Sequence, residues 1–323
     1  MERMGTDSEM NDQTDERLVP IEITAELNPS ELQREWDKLA ERAETVHLVV
    51  KMGARTDLGR VRENNEDKFD FFEPEDETVV ANKGAFYAVC DGMGGHAAGQ
   101  IASELALKTA IKTYYADPSS DVESSLRRAV RDANSLIYDA SQMIVERSGM
   151  GTTMTGVIIR ADEAYFVQVG DSRAYFIRDD EIRQVTEDHS WVAEQVRRGA
   201  LSEEDAQYSP FRNVITRSLG NMPNVESDIY AETLKPGDRI VLCSDGLSGN
   251  LSAADILGIV DAKAPSQAAL DLVDTANERG GNDNITALVL VVKDVVYEDE
   301  SERPADEPKA EPQKKGFLGL FRG

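Results

Sequence analysis

The sequence predicts an α+β domain in which antiparallel strands outnumber helices. Eight short runs between residues 47 and 293 are rich in β-branched and aromatic residues and are bounded by Gly, Asp or Asn. Two connections between these runs are very short, RADEA at 160–164 and GDSR at 170–173. Parallel neighbours need a crossover of a dozen or more residues, whereas antiparallel neighbours can be joined by a tight turn. We therefore expect both connections to be hairpins.

Helical patterns interrupt the strands at five places. The pattern at 97–115 predicts one long helix, and the pattern at 122–145 predicts another. The second carries an apolar stripe whose members recur at spacings of four and three, as on one face of an α-helix: Leu126, Val130, Ala133, Ile137, Ala140 and Ile144. Shorter helices are expected at 189–199, 252–261 and 266–279.

The two ends of the chain differ in composition from the domain predicted at 46–293. Residues 1–45 form an acidic extension, expected to be partly disordered, with one amphipathic helix at about 30–44 that starts in a capping box of Ser30 and Gln33. This helix either docks on the domain or serves a partner. Residues 294–323 form a charged, Pro-rich tail expected to be disordered. Its last ten residues, 314–323, are basic and apolar; weak docking to a membrane surface or a protein, and a free tail, both stay open.

Charge and cysteine content exclude several classes of function. The chain carries 35 Lys and Arg against 61 Asp and Glu, a formal net charge of −26. Such acidity argues against nucleic acid and anionic membranes as partners and suits cations. Cys90 and Cys243 lie in apolar runs, which indicates buried thiols in a reducing compartment. There is no apolar stretch of a signal peptide or of a bilayer span of ~20 residues. We expect a cytoplasmic monomer without a transmembrane segment.

Acidic residues stand at the ends of four predicted strands. Asp67 precedes KFDFF, Asp91 follows AFYAVC, Asp245 follows RIVLCS, and Asp283 comes just before ITALVLVV. Strand ends are rigid, so carboxylates there can be held in fixed geometry, and hard divalent cations take oxygen ligands. The few His and Cys residues argue against a zinc site. An Asp-Gly pair is also a common turn dipeptide, so from the residues alone a metal site and plain turns both stay open.

Six motifs occur in a fixed order around these positions: TDLGRVRENNED at 56–67, DGMGGH at 91–96, GTT at 151–153, VGDSRAY at 169–175, SDGL at 244–247 and GNDN at 281–284. Together they resemble the metal-dependent protein phosphatases of the PPM family, type 2C, and the DGMGGH variant resembles bacterial members most. The resemblance covers roughly residues 53–293. It implies two packed antiparallel β-sheets flanked by helices on both faces, an α-β-β-α sandwich with metals at one end.

The resemblance also implies roles for individual residues. Asp67 and Asp91 match ligands of a centre of two Mn²⁺ or Mg²⁺ ions, with Asp91 bridging and Gly92 adding its backbone carbonyl. Asp245 and Asp283 match the remaining ligands of one ion, and Asp171 matches a ligand of a third ion. Glu66 matches a residue that orients metal-bound water, and Arg62 matches the residue that binds the substrate phosphate. A guanidinium suits that last role because it offers paired donors and stays charged.

The reaction implied is hydrolysis of phosphoserine and phosphothreonine in proteins by attack of a metal-activated water, without a covalent intermediate. Such an enzyme would oppose a bacterial Ser/Thr kinase. The alternative is a catalytically silent, phosphatase-like regulatory or binding protein. Eukaryotic relatives carry a histidine as general acid where this chain has Met93. His96 is the nearest substitute as proton donor, but it fits loop support equally well, so the acid stays unassigned. The segment 187–223 matches a flap beside the active site of bacterial relatives, and a plain surface loop is the alternative.

Overall fold

The computed structural model describes residues 46–95, 97–143, 147 and 149–297. The predicted N-terminal extension with its helix at 30–44, His96, and the tail from residue 298 with its peptide 314–323 lie outside the described residues.

Ten strands of the described residues form two five-stranded antiparallel sheets. The first sheet has, in spatial order, β1 (Val46–Asp57), β12 (Ile285–Tyr297), β11 (Arg239–Cys243), β8 (Arg173–Arg178) and β9 (Glu181–Gln184). The second has β10 (Asp228–Thr233), β7 (Glu163–Val169), β6 (Met154–Arg160), β3 (Ala85–Cys90) and β2 (Lys68–Phe72). A small ribbon pairs β4 (Gly92–Met93) with β5 (Gly151–Thr152).

The described helices are α1 (Glu77–Lys83), α2 (Ala97–Ala116), α3 (Val122–Met143), α4 (Trp191–Arg197), α5 (Glu203–Tyr208), α6 (Asp245–Ser248), α7 (Ala253–Val260) and α8 (Pro265–Glu278). The five predicted helices appear as α2, α3, α4, α7 and α8, each with ends near those expected. Of the predicted stripe on α3, Leu126, Val130, Ala133 and Ile137 are 0–1% exposed, and Ala140 is partly buried. Ile144 lies outside the described residues. None of the helices in this part of the chain combines the length and apolarity needed to cross a bilayer.

Three apolar layers make the core. One lies between the two sheets and includes Phe166, Phe176 and Leu288. A second packs α2 and α3 on the outer face of the β10-to-β2 sheet. The third packs α7 and α8 on the outer face of the β1-to-β9 sheet. Burying both faces of each sheet removes apolar surface from water throughout the sandwich. The predicted α-β-β-α architecture is confirmed.

Two expectations about connectivity and boundaries are corrected. The turn at 161–162 does join a hairpin, β6–β7. The GDSR connection does not, because β7 and β8 belong to different sheets. Gly170 has φ of +108°, and this backbone conformation, which L side chains rarely adopt, turns the chain from one sheet to the other. In addition, β12 continues through Tyr297, so residues 294–297 belong to the sheet and not to the disordered tail predicted from residue 294.

Candidate metal centre

The predicted acidic sites meet at one end of the sandwich because of the antiparallel register. The end of β1 pairs with the start of β12 (Asp57 with Ile285), and the end of β11 faces both Ala287 and Arg173. In the other sheet the start of β2 pairs with the end of β3, as Lys68 with Cys90. The aspartates that flank these strand ends are therefore neighbours in space although they lie far apart in sequence: Asp67, Asp91, Asp171, Asp245 and Asp283.

Asp67 joins the two sheets and is 1% exposed. One carboxylate oxygen, Oδ2, accepts hydrogen bonds from Ser244 Oγ (2.6 Å), just after β11, and from Thr286 Oγ1 (2.8 Å) on β12 of the opposite sheet. The other oxygen, Oδ1, is buried without a hydrogen-bond partner. Burial raises the pKa of Asp67 to about 7. The charges of Asp245 and Asp283 also raise this pKa, whereas the hydrogen bonds from Ser244 and Thr286 lower it. Its orientation is fixed while one oxygen is left for a ligand.

Asp91 is held by its backbone, which frees its side chain. Its N–H donates to Thr153 Oγ1 (2.9 Å), and its carbonyl accepts from Thr152 Oγ1 (2.8 Å). The carboxyl shares a hydrogen bond with Asp245. Burial and the charges of neighbouring aspartates raise the pKa of Asp91 well above its ordinary value. A cation bound beside the two carboxyls would relieve the repulsion between them.

Asp245 begins the short helix α6, and its Oδ1 is also buried without a hydrogen-bond partner. Burial raises the pKa of Asp245; the charge of Asp283 adds to this, whereas the Asp91 bond and the Arg62 charge lower it. The next residue, Gly246, packs closely against the loop before β12, since a Cβ at this position would lie 2.0 Å from the Asn284 carbonyl oxygen. Only glycine permits that approach.

Asp171 lies in the connection between the two sheets and is 7% exposed, with Oδ1 unpartnered. Burial raises the pKa of Asp171 to about 8, and the charges of Asp245 and Asp188 contribute in the same direction. The following residue ties this turn to the Asp91 side of the site, because Ser172 Oγ lies 2.7 Å from Thr153 Oγ1.

Arg62 stands at the exposed side of the cluster, with 53% of its side chain accessible. Its Nη2 donates to Asp283 Oδ2 at 2.7 Å. This bond raises the pKa of Arg62, helped by the charges of Glu66 and Asp91. The guanidinium is thus a fixed positive charge at the opening of an acidic site.

The loop that carries Arg62 is held by Asn284. The Asn284 side chain accepts from the N–H of Glu66 (2.8 Å) and donates to the carbonyls of Leu58 (3.0 Å) and Asn64 (2.9 Å). A buried amide with three backbone partners specifies one loop conformation. Asn284 therefore positions the loop that brings Arg62 and Glu66 to the site.

Gly92 and Glu66 meet the start of α2. A Cβ on Gly92 would lie 2.2 Å from the Gly99 carbonyl oxygen, and a Cβ on Gly99 would lie 2.0 Å from Glu66 Oε2. The Glu66 carboxylate is thus placed against the first turn of α2, where the helix dipole favours a negative charge. Both glycines are required for this contact.

The donor set fits hard divalent cations. Buried, unpartnered carboxylate oxygens belong to Asp67, Asp171 and Asp245, and an unmatched buried carboxylate is costly unless a proton or a cation neutralises it. Across the described residues, no three Asp, Glu, His or Cys side chains are gathered closely enough to hold a metal ion as they stand. The raised pKa values of Asp91 and Asp245 agree with a need for such neutralisation.

Several residues that shape the site were not identified as functional from the sequence: Thr153, Ser172, Ser244, Asn284 and Thr286. Four of them lie inside the quoted motifs, and three of these, Ser172, Ser244 and Asn284, stand directly next to an aspartate. The signal for Thr286 was a hydroxyl inside the apolar run ITALVLVV, because a buried hydroxyl requires a partner.

Comparisons with known proteins identify the family. The sequence profile of the family described as "Protein phosphatase 2C" matches residues 60–287. The serine/threonine phosphatase stp of Listeria innocua is 36% identical over 241 residues, which cover 73% of this chain and 93% of that protein. The crystal structure of the Mycobacterium tuberculosis serine/threonine phosphatase PstP/Ppp is similar at a TM-score of 0.68 and 37% identity, covering 76% of this chain and 100% of that one.

A further crystal structure contains metal. It is the catalytic domain of the serine threonine protein phosphatase PstP in complex with two manganese ions, with a TM-score of 0.67 and 36% identity over 77% of this chain and 100% of that chain. The family profile spans most of the domain, and the relatives match it in sequence and in fold. The chain belongs to the protein phosphatase 2C family.

Proposed function

We propose that this protein is a metal-dependent protein serine/threonine phosphatase (EC 3.1.3.16) that hydrolyses phosphoserine and phosphothreonine in other proteins. The observation that carries the proposal is a group of buried carboxylates with unpartnered oxygens beside an exposed arginine. Carboxylates bind the divalent cations, and the arginine attracts the anionic substrate that the acidic protein would otherwise repel. The set of family ligands is complete, which favours an enzyme over a catalytically silent relative.

Two ions, Mn²⁺ or Mg²⁺, would be held by Asp67, Asp91, Asp245, Asp283 and the Gly92 carbonyl, and a third by Asp171. Bound cations of this kind supply Lewis-acid activation of water and neutralise charge on the phosphoryl group. The ligands must be deprotonated to act, so cation binding would compete with protonation of Asp91 and Asp245, whose pKa values are raised.

The residues around the centre bind and orient the reactants. Arg62 offers paired N–H donors to the phosphate, and it is accessible enough to turn from Asp283 towards a substrate. Glu66, fixed against α2, can accept a hydrogen bond from the attacking water and hold it in line. Met93 cannot donate a proton to the leaving alkoxide. His96 lies outside the described residues, so the general acid stays unassigned.

The direct test uses the full-length protein and a phosphothreonine peptide. Hydrolysis is expected with Mn²⁺ or Mg²⁺ and is expected to stop when EDTA is in excess, then to return when the cation is restored. Full activity in excess chelator would contradict the metal mechanism. Manganese binding without any turnover on phosphothreonine or phosphoserine peptides would favour the catalytically silent alternative instead.

Arg62→Ala is expected to raise KM for the phosphopeptide by about tenfold to 100-fold, since it removes a charge-assisted contact to the phosphate. Cation affinity should change much less, because Arg62 binds no cation. Steady-state kinetics and manganese titration measure the two effects. Arg183→Ala is a matched control: Arg183 is also half exposed (48%) and ion-paired, with Glu232, but it lies on β9. An unchanged KM in Arg62→Ala would exclude the phosphate-binding role.

We infer phosphorylated proteins as substrates from the family. Action against a Ser/Thr kinase, a cytoplasmic location, a monomeric state and docking by residues 314–323 stay predictions. Size-exclusion chromatography with light scattering would test the monomer directly.

A further inference from the structure

Thr56, near the end of β1, is connected to Asp67 through one intervening side chain. In the antiparallel register of β1 and β12, Thr56 stands directly opposite Thr286. The two hydroxyl oxygens are 2.8 Å apart. Thr286 Oγ1 lies at the same distance, 2.8 Å, from Asp67 Oδ2. A cross-strand pair of hydroxyl groups thus leads from β1 to the Asp67 carboxylate.

Asn65 sets the direction of these hydrogen bonds. Its Oδ1 accepts from the Asp67 N–H (3.1 Å), so the amide atom that faces Thr56 Oγ1, at 2.9 Å, is Nδ2. An amide nitrogen only donates, so Thr56 Oγ1 accepts this bond and has its single hydrogen left for Thr286 Oγ1. Thr286 in turn has its own hydrogen left for Asp67 Oδ2.

The four residues therefore form a closed ring of hydrogen bonds that starts and ends at Asp67. It starts at the Asp67 N–H, passes through Asn65, Thr56 and Thr286, and returns to Asp67 Oδ2. Every bond in the ring points the same way round, and such bonds polarise and strengthen one another. The ring holds the backbone and the carboxylate of Asp67 together, which fixes the orientation of the side chain.

Ser244 adds a second donor to the same carboxylate oxygen. Its Oγ accepts from the Thr286 N–H (3.0 Å) and donates to Asp67 Oδ2 (2.6 Å). Ser244 and Thr286 are both 0% exposed, so neither hydroxyl can exchange Asp67 for water. Oδ2 is thus occupied by two donors, whereas Oδ1 is buried without a partner. Asp67 is left with one oxygen for a cation.

We propose that Thr56 is a positioning residue: through Thr286 it holds Asp67 so that the carboxylate meets a cation with Oδ1 alone. This inference deepens the proposed function and rests on it, because the cation belongs to that proposal. Ligation by one oxygen suits a six-coordinate ion such as Mg²⁺ or Mn²⁺. Calcium takes six to eight oxygens and accepts carboxylates through one oxygen or both, so a released Oδ2 favours calcium relative to manganese.

The test is a double-mutant cycle in the full-length protein, with manganese and calcium as the ions added. Thr56→Val, Thr286→Val and the double variant replace a hydroxyl by a methyl group of similar size, and Thr56→Ser keeps the hydroxyl. Thr233→Val is the matched control, because Thr233 Oγ1 also donates across a strand pair, to Glu163 Oε1 at 3.0 Å, but at the end of β7 far from Asp171. Electron paramagnetic resonance measures free Mn²⁺, and competition against Mn²⁺ gives the calcium affinity.

We expect Thr286→Val to weaken manganese binding by about tenfold or more, as loss of an outer contact does at other metal sites. Thr56→Val should weaken it by about threefold or more in the parent and no further in the Thr286→Val background, because Thr56 acts through Thr286. In both variants calcium affinity should fall less than manganese affinity. Thr56→Ser and Thr233→Val should bind both ions like the parent.

The proposal is overturned if the two valine substitutions act additively, or if Thr56→Val binds manganese as tightly as the parent. An equal loss of affinity for both ions would indicate general loosening of the domain and overturns it too, as does a parent that binds no manganese. Thermal melting in EDTA checks that each variant folds. If Thr286→Val does not fold, the ratio of manganese to calcium affinity in Thr56→Val against Thr56→Ser decides.

The outcomes for this positioning role and for the proposed function are separate, because none of these readouts uses hydrolysis. A protein that shows the expected cycle but cleaves no phosphopeptide would defeat the proposed function and leave the role of Thr56 intact. A protein that cleaves phosphopeptides but shows an additive cycle would defeat the role of Thr56 alone.

Discussion

Replacing Asp245 by asparagine is expected to remove most cation-dependent hydrolysis and, at the same time, to raise the melting temperature of the metal-free protein. Asp245 has a buried oxygen without a partner, and its carboxyl lies among those of Asp91, Asp283 and Asp171. A neutral amide of the same shape relieves the burial of charge, but it is a poorer ligand for a hard cation. A residue that served stability alone would not give opposite signs in the two measurements.

We expect activity on a phosphothreonine peptide to fall by about 100-fold or more and manganese affinity by at least about tenfold. Kinetics, manganese titration and calorimetry of the chelated protein measure the three quantities. Asp238→Asn is the control, since Asp238 is a buried carboxylate (2% exposed) away from the cluster that bonds Arg178 Nε at 2.8 Å and Nη2 at 2.6 Å. It should lower the melting temperature and leave cation affinity unchanged. A loss of stability in Asp245→Asn with normal manganese binding would show that Asp245 is a structural residue.

The second large effect concerns pH. The metal-free protein is expected to melt at a lower temperature as the pH rises from 5 to 8. Burial raises the pKa of Asp67 to about 7 and that of Asp171 to about 8, from 3.8 in the unfolded chain. Between those values the native state binds more protons than the unfolded state, so the free energy of unfolding falls with pH. The contribution of these carboxyls to the free energy of unfolding is complete below about pH 4 and is lost as the pH rises through the native pKa values.

Other titrating groups do not reverse this trend. Carboxyls with lowered pKa, such as Asp57 and Asp228, change the stability only below the unfolded pKa, outside the window of 5 to 8. The lowered pKa of His189 acts in the opposite direction near its ordinary value of 6.5. This single histidine is outweighed by the cluster of aspartates, because the pKa values of four carboxyls are raised.

Differential scanning calorimetry in EDTA should show a fall of about 5 °C or more between pH 5 and 8. Saturating manganese should abolish the fall, because the cation replaces the protons and its apparent affinity rises with pH. Asp245→Asn should show a shallower pH dependence than the parent. A melting temperature independent of pH in the chelated protein would mean that the carboxylates are not buried against one another as the structure has them.

Much of the fold was predictable from local patterns. Hydrophobic periodicity and β-branched content predict the strands and the five helices. These patterns span only a few residues, and the native structure keeps the local elements that they favour. The aspartates could be singled out because each stands beside a buried strand next to glycine or asparagine. Their ordered motifs identified the family, which the comparisons confirm.

Only the tertiary structure decided how these pieces act together. GDSR looks like a hairpin turn in sequence, yet it crosses between sheets, because strand pairing depends on packing across the sandwich. Asp67 is oriented by Ser244 and Thr286, which lie 177 and 219 residues away along the chain. No local pattern encodes such contacts. His189 likewise was read only as part of a helix at 189–199, whereas in the structure it precedes α4 and joins Gly170 to Asp228. The sequence by itself determined which carboxylates are the candidate cation ligands; the fold decided which residues hold them in place, because those contacts exist only once the two sheets have packed.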